Sequence, residues 1–294
     1  MADYGFLPYT HRKSYDREGK TAISGYYDIT VTAQQPLRVG SGFSAPETNN
    51  MKAELMRSGG APVIPGSSLK GCARAIAAAV SESCMPREAK DEMRSQRQRD
   101  MARHKCNPED RCIVCDTFGL MGFASRVEFG DLKAPENTEV IVDRNVPVPF
   151  TPNAQKSTYH TRTPDGEESN GSKFYHKQNP PAAGISGQPA KYAVEAVKPG
   201  TVFTGRVYFH DVTEEELSLL LFSLGYDGTF QPKLGGNRAH GYGSVKITLT
   251  KIHYIGEKPG RKVLELAKAY PKAASPECRK NIESLRKILS KEVR

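Results

Sequence analysis

Strict alternation is the first regular signal along the chain. In YYDITVTA (26–33), Tyr27, Ile29 and Val31 alternate with Asp28, Thr30 and Thr32, the period of a strand with one buried face. FASRVEFGDL (123–132) and GTVFTGRVYFHDV (200–212) read as further strands. A last strand leaves the glycine-rich LGGNRAHGYGSVKITL (234–249), with Val245, Ile247 and Leu249 on one face. From Ser68 the period changes, and Leu69, Cys72, Ala73, Ile76, Ala77 and Val80 take helical spacing. VTEEELSLLLFSLG (212–225) predicts a second helix, with Thr213 as N-cap, Glu216 completing a capping box and Gly225 as the stop. Ile282, Leu285, Ile288, Leu289 and Val293 form an apolar stripe that predicts a terminal helix within the basic segment 261–294.

The intervals carry weaker patterns. Residues 1–24 are polar and irregular, the character of an arm. Residues 36–62 are rich in Gly, Ser, Pro and Asn and read as a long loop with one short turn. Residues 85–105 mix charges with almost no apolar stripe, as a solvated helix or a disordered excursion would. Residues 133–197 are the least regular part, and a loop that long is usually functional or disordered. Strands and helices in this order predict an α+β fold, one sheet with helices on a face, forming a single elaborated domain over 1–294.

Charge narrows the partner. Lys and Arg total 42 against 33 acids, a net charge of +9, which favours a polyanion. No apolar run approaches the ~20 residues that span a bilayer, so no membrane partner is expected. The N-terminus lacks an apolar signal stretch, and a cytoplasmic protein is the expectation. In that compartment the six cysteines read as metal ligands or buried thiols.

Three motifs could carry chemistry. HKCNPEDRCIVC (104–115) offers His104, Cys106, Cys112 and Cys115 with a Cys-x-x-Cys pair, the spacing of a structural zinc knuckle, within an insertion at 84–118. Cys84 competes for the fourth position. PVIPGSSLKGCAR (62–74) places Lys70 and Arg74 on one side of a helix start, where the macrodipole prefers acids. It is either a plain helix capped by Ser67 or Ser68, or a site for an anion. In LGGNRAHGYG, Gly235, Gly236, Gly241 and Gly243 permit positive φ beside Asn237, Arg238 and His240. That loop is either a tight connection or a phosphate or sugar contact.

As an ordered set, PGSSLKGCAR, the cysteine knuckle followed by Phe118-Gly119, and GGNRAHGYGSV resemble the RAMP superfamily, over about residues 25–130 and 198–250. The chain resembles a backbone subunit of type III CRISPR effector complexes, and GSKFYHK with the 212–225 helix is similar to a III-D-like branch. The resemblance implies an RRM-like (ferredoxin-like) core with long insertions, 133–197 being the thumb-like one. It also implies guide-RNA (crRNA) backbone contacts from Ser67, Ser68, Lys70, Arg74, Gly235, Gly236, Asn237, Arg238 and His240. Target RNA would then be read by base pairing, beside other effector subunits and with no small-molecule substrate. Target-cleaving members carry an aspartate upstream of the PGSSLKG-like motif. Here 36–62 holds none, and the expected place falls at Asn49 or Asn50, whose amides neither bind Mg2+ as a carboxylate does nor accept a proton. A non-cleaving subunit is expected. The alternative is an RNA endonuclease, cutting target RNA or processing guide precursor, with Glu47 or Glu54 and a metal, or with His160, His176 or His240 as acid and base.

Overall fold

The structure, a computed structural model, describes residues 4–47, 50–84, 106–147, 160–162, 168–177 and 191–290. In chain order the strands are β1 (Tyr4–Pro8), β2 (Ile23–Ala33), β3 (Gly40–Glu47), β4 (Asn50–Leu55), β5 (Arg57–Ser58), β6 (Ala61–Ile64), β7 (Val127–Phe129), β8 (Leu132–Lys133), β9 (Val140–Pro147), β10 (His160–Arg162), β11 (Glu168–Tyr175), β12 (Lys191–Val197), β13 (Val202–Val212) and β14 (Val245–Ile255). The helices are α1 (Gly66–Ala79), α2 (Ile113–Phe118), α3 (Glu214–Ser223), α4 (Val263–Ala273) and α5 (Pro276–Ser290).

β2 buries every second residue from Ile23 to Ala33, as its alternation predicts, and lies between β13 and β14 with both pairings antiparallel. β7 pairs with the other side of β13. Taken as β2-α1-β7-β13-α3-β14, the core runs β-α-β-β-α-β in the spatial order β14-β2-β13-β7, the ferredoxin-like arrangement. β8, β6 and β5 extend this sheet beyond β13.

Inward side chains of the sheet, among them Tyr27, Ile29, Val31 and Val207, belong to one core with Leu69, Ala73 and Ile76 of α1 and Leu217, Leu220 and Leu221 of α3. Each is essentially inaccessible. Burying a side chain of Leu or Ile size contributes about 1.5–3 kcal/mol. α3 begins where its capping box predicts: Thr213 Oγ1 accepts from the Glu216 N–H at 3.2 Å, and the Thr213 N–H donates to Glu216 Oε2 at 2.8 Å. Gly225 follows the helix at φ 69° and closes it. Helices also occupy the basic C-terminal segment, although Val293 lies outside the described residues.

Three expectations are corrected. Residues 36–62 are not a loop: β3 and β4 form an antiparallel hairpin, and β5 and β6 another. β4 also pairs in parallel with β12, giving a second sheet ordered β3-β4-β12-β9. β3 keeps most of its side chains in solvent, so backbone pairing, not an apolar face, holds it, and no hydrophobic period marks it. The N-terminal arm contains β1, which pairs with β11 and buries Leu7 completely. Residues 133–197 are rich in strand, contributing β9 to the second sheet and a β10–β11 pair to a third. Residues 85–105 lie outside the described ones. Among those described, no helix is long and apolar enough to cross a membrane.

Candidate nucleic-acid interface and metal centre

Four thiols converge where α1 ends and α2 begins. Cys112 is the N-cap of α2 and Cys115 lies one turn on. The Cys112 N–H donates to Cys106 Sγ at 3.1 Å, folding the Asn-Pro-Glu-Asp-Arg connection back on itself. Cys84, just past α1, sets its Sγ 3.4 Å from Cys115 Sγ. All four sulfurs lie within 4.8 Å of one another and could hold a metal ion. The fourth thiol is therefore Cys84, the competing choice from sequence, while His104 lies outside the described residues.

The cluster's surroundings suit accumulated negative charge. Arg12 Nε lies 3.2 Å from Cys106 Sγ, and Arg74 Nη2 approaches Cys115 Sγ at 3.9 Å. Neighbouring sulfurs of Cys112, Cys115 and Cys84, and then Arg12, hold the Cys106 thiol far below its ordinary value.

α1 starts differently from its sequence expectation. Its N-cap is Pro65, with no side-chain cap, so neither Ser67 nor Ser68 caps it; both sit inside the first turn. Asp131, 65 residues away in the chain, accepts from the Gly66 N–H at 2.9 Å and supplies the negative charge the helix start prefers. Gly66 is fixed by contact: a Cβ there would stand 1.8 Å from the Phe129 carbonyl oxygen. Lys70 is half-buried, and its pKa is lowered first by that burial and then by Arg74, with Glu128 opposing. A desolvated cation beside a second cation is a place where an anion lowers the energy.

The glycine loop folds over the start of the second sheet. The Gly236 N–H donates to the Arg38 carbonyl at 2.8 Å, and the Gly243 N–H to that of Pro36 at 2.9 Å. Gly235, at φ 82°, could not carry a Cβ, which would meet the Arg38 carbonyl oxygen at 2.1 Å. Asn237 adopts φ 60° and donates from Nδ2 to Tyr192 Oη at 2.7 Å, while its buried Oδ1 has no hydrogen-bond partner among the described residues. Arg238 and His240 follow in a 3-10 turn. Arg238 sets its guanidinium 5.7 Å from the Tyr175 ring centre.

Contacts join this loop to α1. Cys72 Sγ donates to the Lys233 carbonyl at 3.4 Å. The buried Lys233 Nζ donates to the carbonyls of Arg238 (2.9 Å) and His176 (2.8 Å). The helix, the glycine loop and the end of β11 thus form one unit. Arg38 belongs to it and was not foreseen. It makes no ion pair among the described residues, and its Nε is buried without a hydrogen-bond partner. A basic residue between apolar Leu37 and Val39 was the available signal, hidden by reading 36–62 as loop.

Two of the catalytic candidates, Glu47 and Glu54, lie on the β3–β4 hairpin, and both act on Lys52. Glu47 on β3 holds Arg144 at 2.7 Å. Glu54 lies on β4, where its carbonyl accepts from Ser41 Oγ at 3.3 Å. Asn49 and the His160 side chain lie outside the description, and Asn50 opens β4.

Comparison with known proteins adds a family. No curated protein matches the sequence. Csc2 of Thermofilum pendens, known from a crystal structure, is similar at 19% identity and a TM-score of 0.38, over 95% of this chain and 81% of that one. The family model described as the RAMP superfamily matches residues 30–246, a span that begins in β2, takes in α1 and the four clustered cysteines and ends in β14. It contains all three motifs that the structure ties together through α1, and the chain belongs to the RAMP superfamily.

Proposed function

We propose that this protein is a guide-RNA (crRNA)-binding structural subunit of a type III CRISPR RNA-targeting effector complex and does not itself cleave RNA. One observation carries the reading: the α1 start and the glycine loop form a single cationic unit, joined through Cys72 and Lys233. Within it stand a desolvated Lys70 beside Arg74, an Arg38 without an ionic partner among the described residues and an Arg238 in a glycine turn. Cationic side chains of this kind hold a phosphate chain without reading bases, leaving sequence to pairing. Membership in the RAMP superfamily and the net charge of +9 support it. The insertion 133–197 is the proposed thumb, and other effector subunits and target RNA are the partners.

The metal centre is proposed as a structural Zn2+ site of Cys84, Cys106, Cys112 and Cys115. Tetrahedral Zn–S bonds of about 2.3 Å place sulfurs about 3.8 Å apart, which suits this cluster. Four thiolates leave Zn2+ with a net charge of −2, which Arg12 and Arg74 offset. The ion would fasten the 84–118 insertion to the end of α1.

RNA binding of the purified protein tests the reading. Lys70→Ala, Arg38→Ala and Arg238→Ala should each weaken binding to unrelated RNA sequences about equally. Each should also lower the salt slope by about 0.7, the single-strand value for one phosphate contact. Wild-type affinity and slope in all three variants would refute these contacts. Labelled target and guide precursor should stay intact when incubated with the protein and Mg2+; cleavage would overturn the non-cleaving assignment.

A further inference from the structure

The outward face of the core sheet carries a second feature. His253 on β14, Tyr26 on β2, Tyr208 on β13 and Glu128 on β7 are consecutive cross-strand partners, so they form one row across the sheet. Tyr26 stacks on His253 with ring centres 4.8 Å apart at 24°, and Tyr208 lies 6.1 Å from Tyr26. The Arg206 guanidinium, held by Asp28 at 2.5 Å, sits 4.0 Å from the Tyr26 ring centre. His253 is exposed, and Tyr208 keeps 44% of its surface in solvent. Lys246 and Lys251 on β14 face the same side and are exposed.

We infer that this face is a stacking platform for unpaired bases of single-stranded nucleic acid, separate from the α1 and glycine-loop unit. Exposed rings on the open face of a sheet mark a contact surface, and the chemistry here selects the partner. The rings are flanked by Arg206 and by Lys251, which stands opposite Asp28, two residues along β2 from Tyr26, while the hydroxyls of Thr30 and Thr248, which bond each other at 2.5 Å, lie farther along the same face. Flat rings bordered by cations fit bases with their phosphates, because every base offers a π-face and every linkage a negative charge. The aromatic members, His253, Tyr26 and Tyr208, span two inter-strand spacings, about 10 Å, room for two stacked bases. The platform is also distant from the glycine loop, and it approaches the first unit only at its Glu128 end, which acts on Lys70. The glycine loop enters β14 at Val245, opposite Ala33, seven residues along β2 from Tyr26, which is about 23 Å of strand.

The test is fluorescence anisotropy of the full chain with labelled oligouridine, together with mass-spectrometric mapping of 4-thiouridine crosslinks. Tyr208→Ala should weaken binding about tenfold, the effect of losing one base–aromatic stack, while Tyr208→Phe should keep it. Lys251→Glu should reduce the salt slope by about 0.7. Crosslinks should fall on Tyr208 or His253. Unchanged affinity in Tyr208→Ala with no crosslink on this face would overturn the platform, as would a Tyr208→Ala variant that binds RNA normally but loses association with other subunits. Arg38 and Arg238 variants report on the first unit alone, so either site can fail without the other.

Discussion

Glu216 gives a prediction whose sign and size follow from its surroundings. Its side chain is fully buried, accepts from the Thr213 N–H and faces the buried carboxylate of Asp116. Asp116 is already engaged by Arg111 at 2.6 Å and Arg126 at 2.9 Å, with Arg17 3.5 Å from both acids. Burial, with Asp116 adding, pushes Glu216 up from 4.5 to about 7. Between those values the folded protein holds a proton that the unfolded chain has released, so stability falls as pH rises through the window. Integrated over the whole window, the loss is about 3 kcal/mol. Glu216→Gln is isosteric with the protonated acid: its carbonyl oxygen can keep the Thr213 bond, and its amide can donate to Asp116. We expect Glu216→Gln to be more stable than wild type at pH 8 by about 3 kcal/mol, and by about 1 kcal/mol or less at pH 5. Urea unfolding followed by far-UV circular dichroism at the two pH values measures this. A difference between variant and wild type that does not change with pH would refute the reasoning.

Purified protein should contain close to one equivalent of zinc by elemental analysis. Cys84→Ser should lose most of it while His104→Ala keeps it, and the opposite result would restore the ligand set expected from spacing. Chelator should lower the melting temperature of wild type but not of Cys84→Ser. Gly66→Ala should destabilise by roughly 2–4 kcal/mol in the same urea assay, because its methyl must displace the Phe129 carbonyl or break the Asp131 bond. Ile76→Ala, at 1% exposure in the core, should cost about 2–5 kcal/mol.

Features written in neighbouring residues were legible. The alternation of Tyr27, Ile29 and Val31 and the Thr213–Glu216–Gly225 signature each describe an interaction closed within a strand or helix. Features closed by distant partners were not. Asp131 takes the capping role that Ser67 and Ser68 offered, and it does so from the turn before β8. Cys84 joins the cysteine knuckle only because α1 delivers it there. β3 and β4 have no apolar period to read, since β12 supplies their support from much later in the chain. The resemblance to the RAMP superfamily conveyed the core order because that order belongs to the family, whereas Arg38 and the Tyr26 row depend on how this chain's strands are registered.

The central place of β2 has a consequence for the newborn chain. Both edges of this strand are completed by β13 and β14, the Thr30–Thr248 hydroxyl bond spanning 218 positions of sequence. At about 5–20 residues per second, a ribosome needs on the order of 10–30 s after finishing β2 to deliver β13. Through that interval a strand with a full apolar face has neither neighbour, the circumstance in which edges pair with the wrong chain. Synthesis in a cell therefore demands either shielding of the first forty residues by a chaperone or a low density of sister chains, and the last strands to emerge are the ones that end the exposure.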